Sequence, residues 1–183
     1  MIKIVKDKNP TLRLPSKDVL LPLSVEDKQT LDEMLDYLKL SQDEAYRAKH
    51  PSVREGVGLA APQIGVNKRM LVIHYCSDMQ RNLFTTYELV NPKIIANSIK
   101  KCYLESGEGC LSVDDEHKGY VYRDYKVTVK AYEALRGEEV TIKAYGFDAI
   151  VLQHEIDHLS GILFYDHIDK ANPFKKVVGS VAI

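Results

Sequence analysis

GFDAIVLQHEIDHLSG, residues 146–161, is the clearest helical segment of the chain. Ile150, His154 and His158 recur every four residues, the spacing of side chains on one helix face. Gly161 stands where a helix commonly ends. The two histidines differ by about 40° in direction and one turn in height, so both imidazoles can reach one metal ion.

His-Glu-x-x-His on a helix is a known pattern of metal sites, although two histidines can also be ordinary satisfied residues. Glu155 is rotated by about 100° from His154 and lies beside the expected ion, where a general base is needed. Ile150 and Val151 place apolar surface one turn before His154. This surface indicates a hydrophobic substrate side chain, but filling of the core explains the two residues equally well on periodicity alone.

The rest of the chain predicts strands between helices, without a regular βα alternation, so the expected class is α+β. A helix is predicted from about residue 25, after the capping residue Ser24, into the late 40s. A turn is predicted at 135–137 and a short final strand in the tail. Strands are predicted over 69–75, 87–95, 99–106, 121–133 and 138–145. We expect mixed or antiparallel β-sheets packed around a central metal-binding helix that carries His-Glu-x-x-His.

Composition favours one soluble catalytic domain over residues 1–183. The chain has 45% hydrophobic and 28% charged residues and no linker-like segment. Its net charge of −1 argues against a nucleic-acid partner. The first residues, MIKIVKDKNP, do not resemble a targeting segment, and no stretch is apolar enough to span a membrane. The three cysteines are therefore expected to be reduced thiols in the cytoplasm.

A third metal ligand must come from outside the helix, and Cys110 is the best candidate. It stands in SGEGCLSV, where glycines and a serine allow a sharp turn that presents a thiolate. Cys76 and Cys102 lie in apolar strand segments and are predicted to be small buried side chains. Cys110, His154 and His158 would leave a fourth position open, as catalytic metal sites do.

A rival interpretation makes Cys110 a nucleophile with a histidine base. It leaves Glu155 without a task, and two histidines one helical turn apart suit a shared ion better. Thiolate and imidazole together suit a divalent transition metal, so the ligand interpretation is preferred.

Three segments, GVGLAAPQIG (56–65), EGCLS (108–112) and QHEIDH (153–158), together resemble the three motifs of peptide deformylases, in the same order. The added residues before and after the first motif resemble the type II subgroup typical of Gram-positive bacteria. The resemblance implies removal of the formyl group from N-terminal formyl-methionine, with release of formate. It also implies Fe²⁺ as the ion, with Zn²⁺, Ni²⁺ or Co²⁺ able to replace it.

Carried over residue by residue, the resemblance makes Cys110, His154 and His158 the metal ligands and Glu155 the acid–base group. It also assigns three kinds of contact with the substrate. Gln63 and the Leu111 N–H would donate to the formyl oxygen, Gly58 and Gly109 would pair with the peptide main chain, and Val57, Ile150 and Val151 would line the methionine pocket.

Two other functions remain as alternatives. A metallopeptidase with the same helix motif would need a third ligand other than cysteine, and a non-enzymatic metal module would need a fourth protein ligand. The expected partners are N-formyl-methionyl nascent chains, and a monomer is expected. Ribosome contact and the roles of Asp157 and Arg123 stay open, and His117 is predicted to be an exposed loop residue.

Overall fold

A computed structural model describes residues 2–183 and contains two β-sheets and three α-helices in that range. No helix in this range has the length and apolar character needed to span a membrane. The α-helices are α1 (Val25–Gln42), α2 (Glu44–Lys49) and α3 (Phe147–His158). The strands are β1 (Gly58–Ala60), β2 (Met70–Asp78), β3 (Leu83–Asn97), β4 (Lys101–Tyr103), β5 (Arg123–Asp124), β6 (Lys126–Glu133), β7 (Glu138–Tyr145) and β8 (Val181–Ala182). Short 3₁₀ helices cover Pro10–Arg13, Ala61–Ile64 and Phe164–His167.

The larger sheet has the order β1-β2-β3-β6-β7, and all its neighbouring strands are antiparallel. The smaller sheet has the order β5-β4-β8, in which β4 pairs antiparallel with β5 and parallel with β8. The predicted α+β class with mixed and antiparallel sheets is therefore confirmed.

Helices cover both faces of the larger sheet. Leu71 and Ile73 of β2 belong to one apolar cluster with α3, whereas Met70 and Val72 belong to another with α1. Successive side chains of a strand point to opposite faces, so a strand between two helices is apolar throughout. This explains the unbroken run MLVI at 70–73 and places α3 against the sheet.

The predicted helices and hairpin are confirmed with one refinement. The Ser24 side chain accepts a hydrogen bond from the Asp27 N–H and caps α1. Asp43 then ends α1 and caps α2 by accepting from the Tyr46 N–H, so the predicted helix is divided in two. The turn between β6 and β7 has Gly137 in the left-handed region, with φ of 72°.

Two predicted strands are shorter than expected. The run 99–106 forms only β4, because Gly107 turns back and donates to the Leu104 carbonyl. The run 121–133 is divided into β5 and β6, because the chain passes from the small sheet to the large one at Tyr125. There the Tyr125 N–H donates to Lys100, while its carbonyl accepts from Gly146 at the start of α3.

Candidate metal centre

Cys110, His154 and His158 meet at one point in the structure. Their candidate ligand atoms all lie within 4.8 Å of one another. The Cys110 Sγ lies 3.3 Å from the Nε2 of His158, and it also accepts from the Ser112 N–H at 3.4 Å. The two histidines come from the last turns of α3, and Cys110 comes from the loop between β4 and β5. The predicted juxtaposition of three ligand atoms is therefore present.

The donor set fits a divalent transition-metal ion. Burial lowers the pKa of His158 well below its usual value, which keeps this imidazole neutral as a ligand must be. For His154 burial acts in the same direction, but hydrogen bonds with Cys110 and Glu108 prevail and raise its pKa well above the usual value. A thiol and a carboxylate that favour positive charge on His154 also favour a cation among them.

Glu108 orients His154 from outside the cluster. The His154 Nδ1 lies 2.8 Å from the Glu108 Oε2, which leaves the Nε2 directed at Cys110. Such carboxylate partners fix the tautomer and the ring orientation of metal-binding histidines. Burial alone would raise the pKa of Glu108, but hydrogen bonds from His154 and Arg123 lower it to about 2.

Arg123 connects Glu108 to the outer surface of the protein. Its Nε and Nη2 donate to the two carboxylate oxygens of Glu108 at 2.8 and 3.0 Å, and its Nη1 donates to Asp157. Asp157 in turn lies 2.7 Å from the Nε2 of His167. The Arg123 side chain is 3% exposed. Arg123 and Asp157, whose roles the sequence left open, therefore belong to a largely buried set of contacts around Glu108 and do not form a plain surface ion pair.

Glu155 is buried beside the three candidate ligands. It is 4% exposed, and its Oε2 has no hydrogen-bond partner among the described residues. Burial is the main cause that raises the pKa of Glu155 to about 7. A buried carboxyl oxygen without a hydrogen-bond partner destabilises the fold. The place of this oxygen beside the cluster therefore indicates that a group from outside the protein forms the missing hydrogen bond.

Gln63 and Leu111 line the same cavity as Cys110. The Gln63 Oε1 accepts from the Ala60 N–H at 2.8 Å, which fixes the orientation of the amide. Its Nε2 donates to the Ser112 hydroxyl at 3.2 Å and to the Cys110 Sγ at 3.4 Å. Within residues 2–183 the Leu111 N–H donates no hydrogen bond.

A cavity of about 280 Å³ opens beside Cys110, His154 and Glu155. It has a mostly apolar wall, and all five residues expected to contact the peptide main chain or the methionine side chain contribute to it. Those residues are Val57, Gly58, Gly109, Ile150 and Val151. The structure adds Leu104 and Phe147, which the sequence did not single out.

Comparison with known proteins identifies the family. The model of the polypeptide deformylase family matches residues 1–174. The peptide deformylase of Macrococcus caseolyticus is 52% identical over 183 residues, which are 100% of this chain and 98% of the relative. Peptide deformylase 2 of Geobacillus stearothermophilus is 50% identical over 183 residues, which are 100% and 97% of the two chains.

The chain belongs to the peptide deformylase family. Its members are hydrolases, so the family and the enzyme class predicted from the three motifs are confirmed. The family is metal-dependent, and among the described residues the cysteine and two histidines form a group that could hold the ion.

Solved deformylase structures have a similar fold. A probable peptide deformylase from Synechococcus phage S-SSM7 has a TM-score of 0.73 and 34% identity, covering 92% of this chain and 100% of that chain. A class I type b peptide deformylase from Acinetobacter baumannii, bound to Met-Ala-Ser, has a TM-score of 0.71 and 33% identity. The match covers 92% of this chain and 98% of the Acinetobacter enzyme.

Sequence reasoning missed two polar residues of this deformylase site. Glu108 lies two residues before Cys110 inside the second motif, and this position could have indicated that it belongs to the site. Arg54 also lines the cavity, and no local pattern indicated its contacts.

The burial of two residues outside the site was predicted wrongly. Cys102 is buried as predicted, but Cys76 is partly exposed near the end of β2. His117 is also partly buried, because it stacks on Tyr165 with ring centroids 4.1 Å apart.

Proposed function

We propose that Cys110, His154 and His158 hold a divalent ion, Fe²⁺ in preference to Zn²⁺, Ni²⁺ or Co²⁺, in a deformylation site. As a peptide deformylase, the chain removes the formyl group from nascent polypeptides, and the metallopeptidase alternative is not favoured. The observation that carries the proposal is the convergence of one thiol and two imidazoles beside a buried carboxyl with an unpartnered oxygen. In this proposal α3 is the metal-binding helix at the centre of the fold.

A bound ion would supply Lewis acidity and lower the pKa of a water molecule towards neutrality. Glu155 would take the proton of the attacking water and deliver it to the leaving amine of methionine. The unpartnered Oε2 of Glu155 beside the cavity suits this transfer. General acid–base catalysis of this kind contributes roughly 10²- to 10⁴-fold to a rate.

Gln63 and the Leu111 N–H would stabilise the negative charge that develops on the formyl oxygen. The Leu111 N–H has no other partner in the described structure, and the long contact of Gln63 with the Cys110 Sγ is weak enough to be given up. Each such donor is worth roughly 3 kcal/mol in comparable sites.

Gly58 and Gly109 would hold the main chain of the peptide. In the described structure β1 is an edge strand, so an extended peptide can pair beside Gly58. A β-carbon at Gly109 would meet no atom within 4 Å, which leaves room for a second chain. Val57, Ile150 and Val151 would then surround the methionine side chain in the apolar part of the cavity.

The domain organisation, oligomeric state and location of the enzyme are part of the same proposal. Residues 1–183 would form one catalytic domain, since the family model spans residues 1–174. The enzyme would act as a monomer in the cytoplasm, where nascent chains are made. Contact with the ribosome would be transient.

Metal content tests the ligand assignment. Cys110→Ala, His154→Ala and His158→Ala should each lose most of the Fe²⁺ that the anaerobically purified protein holds. Cys76→Ala, a partly exposed cysteine elsewhere, should keep it. Full metal content in Cys110→Ala would overturn the proposed ligand set.

A further inference from the structure

The side chain of Arg54 holds the turn that carries Cys110. Its Nη2 donates to the carbonyls of Cys110 at 2.9 Å and of Leu111 at 2.5 Å, and its Nη1 donates to the carbonyl of Val113 at 3.0 Å. Within the turn, the Val113 N–H also donates to the Cys110 carbonyl at 3.2 Å. One guanidinium thus fixes three carbonyls of four consecutive residues.

These contacts determine where two backbone N–H groups point. In a trans peptide unit the carbonyl and the N–H point in opposite directions. Arg54 holds the Cys110 carbonyl on one side, so the Leu111 N–H of the same peptide unit is directed to the other side. The next unit follows the same rule, because its carbonyl, that of Leu111, lies on Arg54 while its N–H, that of Ser112, faces the Cys110 Sγ.

We propose that Arg54 is a positioning residue for the reaction, locking the Cys110–Leu111 peptide unit so that the Leu111 N–H meets the formyl oxygen. This inference rests on the proposed function, in which that N–H stabilises the oxyanion. The cation also polarises the peptide unit, since hydrogen bonds in a chain strengthen one another. Arg54 therefore acts through the backbone and does not need to touch the substrate.

Neighbouring charges show why an arginine is needed at this position. Lys6 also donates to the Leu111 carbonyl, at 3.1 Å, and both cations contact Asp114, at 2.7 Å for Lys6 and 3.2 Å for Arg54. Lys6 makes no contact with the Cys110 carbonyl in the described structure, so it cannot fix the peptide unit that ends in the Leu111 N–H. The planar guanidinium of an arginine can donate to several carbonyls at once, whereas the ammonium of a lysine acts as a point charge.

Steady-state kinetics on a formyl-Met-Ala-Ser peptide test the proposal. Arg54→Met should lower kcat by about 10- to 100-fold, a part of the loss seen when an oxyanion donor is deleted, with KM changed less than about twofold. Arg54→Lys should recover part of kcat. Arg69→Met is the matched control, because Arg69 also binds a carbonyl, that of Pro92 at 2.7 Å, and does not line the cavity. It should keep the wild-type kcat.

Two further measurements separate positioning from simple damage. The absorption spectrum of the Co²⁺-loaded Arg54→Met protein should match that of the wild type, because the ligands stay in place. Its affinity for the product peptide Met-Ala-Ser should also be unchanged, because that peptide has no formyl oxygen.

Three results would overturn the proposal: a wild-type kcat in Arg54→Met, a loss confined to KM, or a changed Co²⁺ spectrum. A wild-type protein that releases no formate would instead overturn the proposed function itself. The two failures are therefore distinguishable.

Discussion

Gly58 lies against the carboxyl group of Glu155. A β-carbon built on Gly58 would stand 2.3 Å from the Glu155 Oε1 and 2.7 Å from its Cδ. Such distances are far inside van der Waals contact, so the glycine makes room for the carboxyl group. The first motif and the third motif of the chain therefore fit together at this pair of residues.

Gly58→Ala should lower kcat by about 10-fold or more, because the added methyl group displaces the Glu155 carboxyl, which we propose transfers the proton. Gly109→Ala is the matched variant, since a β-carbon there meets no atom within 4 Å of the free protein. It should fold normally and raise KM instead, because the methyl group obstructs the peptide main chain. Steady-state kinetics on a formylated peptide measure both effects. Equal kinetic changes in the two variants would contradict the different positions given to these glycines.

Glu108→Gln should weaken metal binding by about 10- to 100-fold, because the second contact of a metal-binding histidine orients it and raises its basicity. The substitution also leaves the buried Arg123 with one carboxylate partner fewer. Competition with a chelator measures the affinity. Glu116→Gln, an exposed residue of the same loop, is the control and should bind metal as the wild type does. Wild-type affinity in Glu108→Gln would show that the contact with His154 has no effect on the ion.

Glu88 makes the stability of the fold depend on pH. It is 1% exposed, its Oε1 has no partner among the described residues, and burial followed by the charges of Asp32 and Glu133 raises its pKa to about 7. The folded protein therefore holds this proton more tightly than the unfolded chain does. Its contribution is fully present below about pH 4.5 and is lost as pH rises to about 7, a change of up to about 3 kcal/mol.

Glu88→Gln should therefore unfold at a higher denaturant concentration than the wild type at pH 8, while the two proteins differ little at pH 4.5. Glu138→Gln, at an exposed position of β7, should follow the wild type at both values. Denaturant unfolding followed by circular dichroism gives the comparison. A constant difference between Glu88→Gln and the wild type across this range would show that Glu88 does not titrate as described.

Removal of the metal should change which cysteines react with iodoacetamide. Cys102 is fully buried, and burial raises its pKa to about 11, so it should stay unmodified in the folded protein. Cys110 should react in the metal-free protein and be protected by added Zn²⁺. Cys76, which is partly exposed, should react in both states and serves as the internal control. Mass spectrometry of the digested protein reads the three sites. Alkylation of Cys110 at the same rate with and without Zn²⁺ would argue against ligation by its sulfur.

The convergence of Cys110, His154 and His158 could be predicted because each part of it has a local signal. The period of α3 places His154 and His158 on one face, and the glycines around Cys110 mark a sharp turn. The contact between Glu108 and Arg123 has no such signal. The two residues are 15 positions apart, and they meet because β5 brings Arg123 beneath the loop of Cys110.

The predicted strand boundaries were wrong for a related reason. Residues 121–132 contain no glycine or proline that would mark the end of a strand, but the chain changes sheets at Tyr125. The local periodicity of a sequence indicates that side chains alternate between two faces, but it does not indicate which other strand lies alongside. The contacts of Arg54 with the turn of Cys110 are likewise set by the folded chain, 56 residues apart in sequence.

Product analysis on formyl-Met-Ala-Ser tests the central claim most directly. The anaerobically prepared, Fe²⁺-loaded enzyme should release one formate for each free Met-Ala-Ser, and Glu155→Gln should lose activity by about 10²-fold or more while it still binds Fe²⁺. Cleavage between methionine and alanine, or equal formate release by Glu155→Gln, would contradict the account.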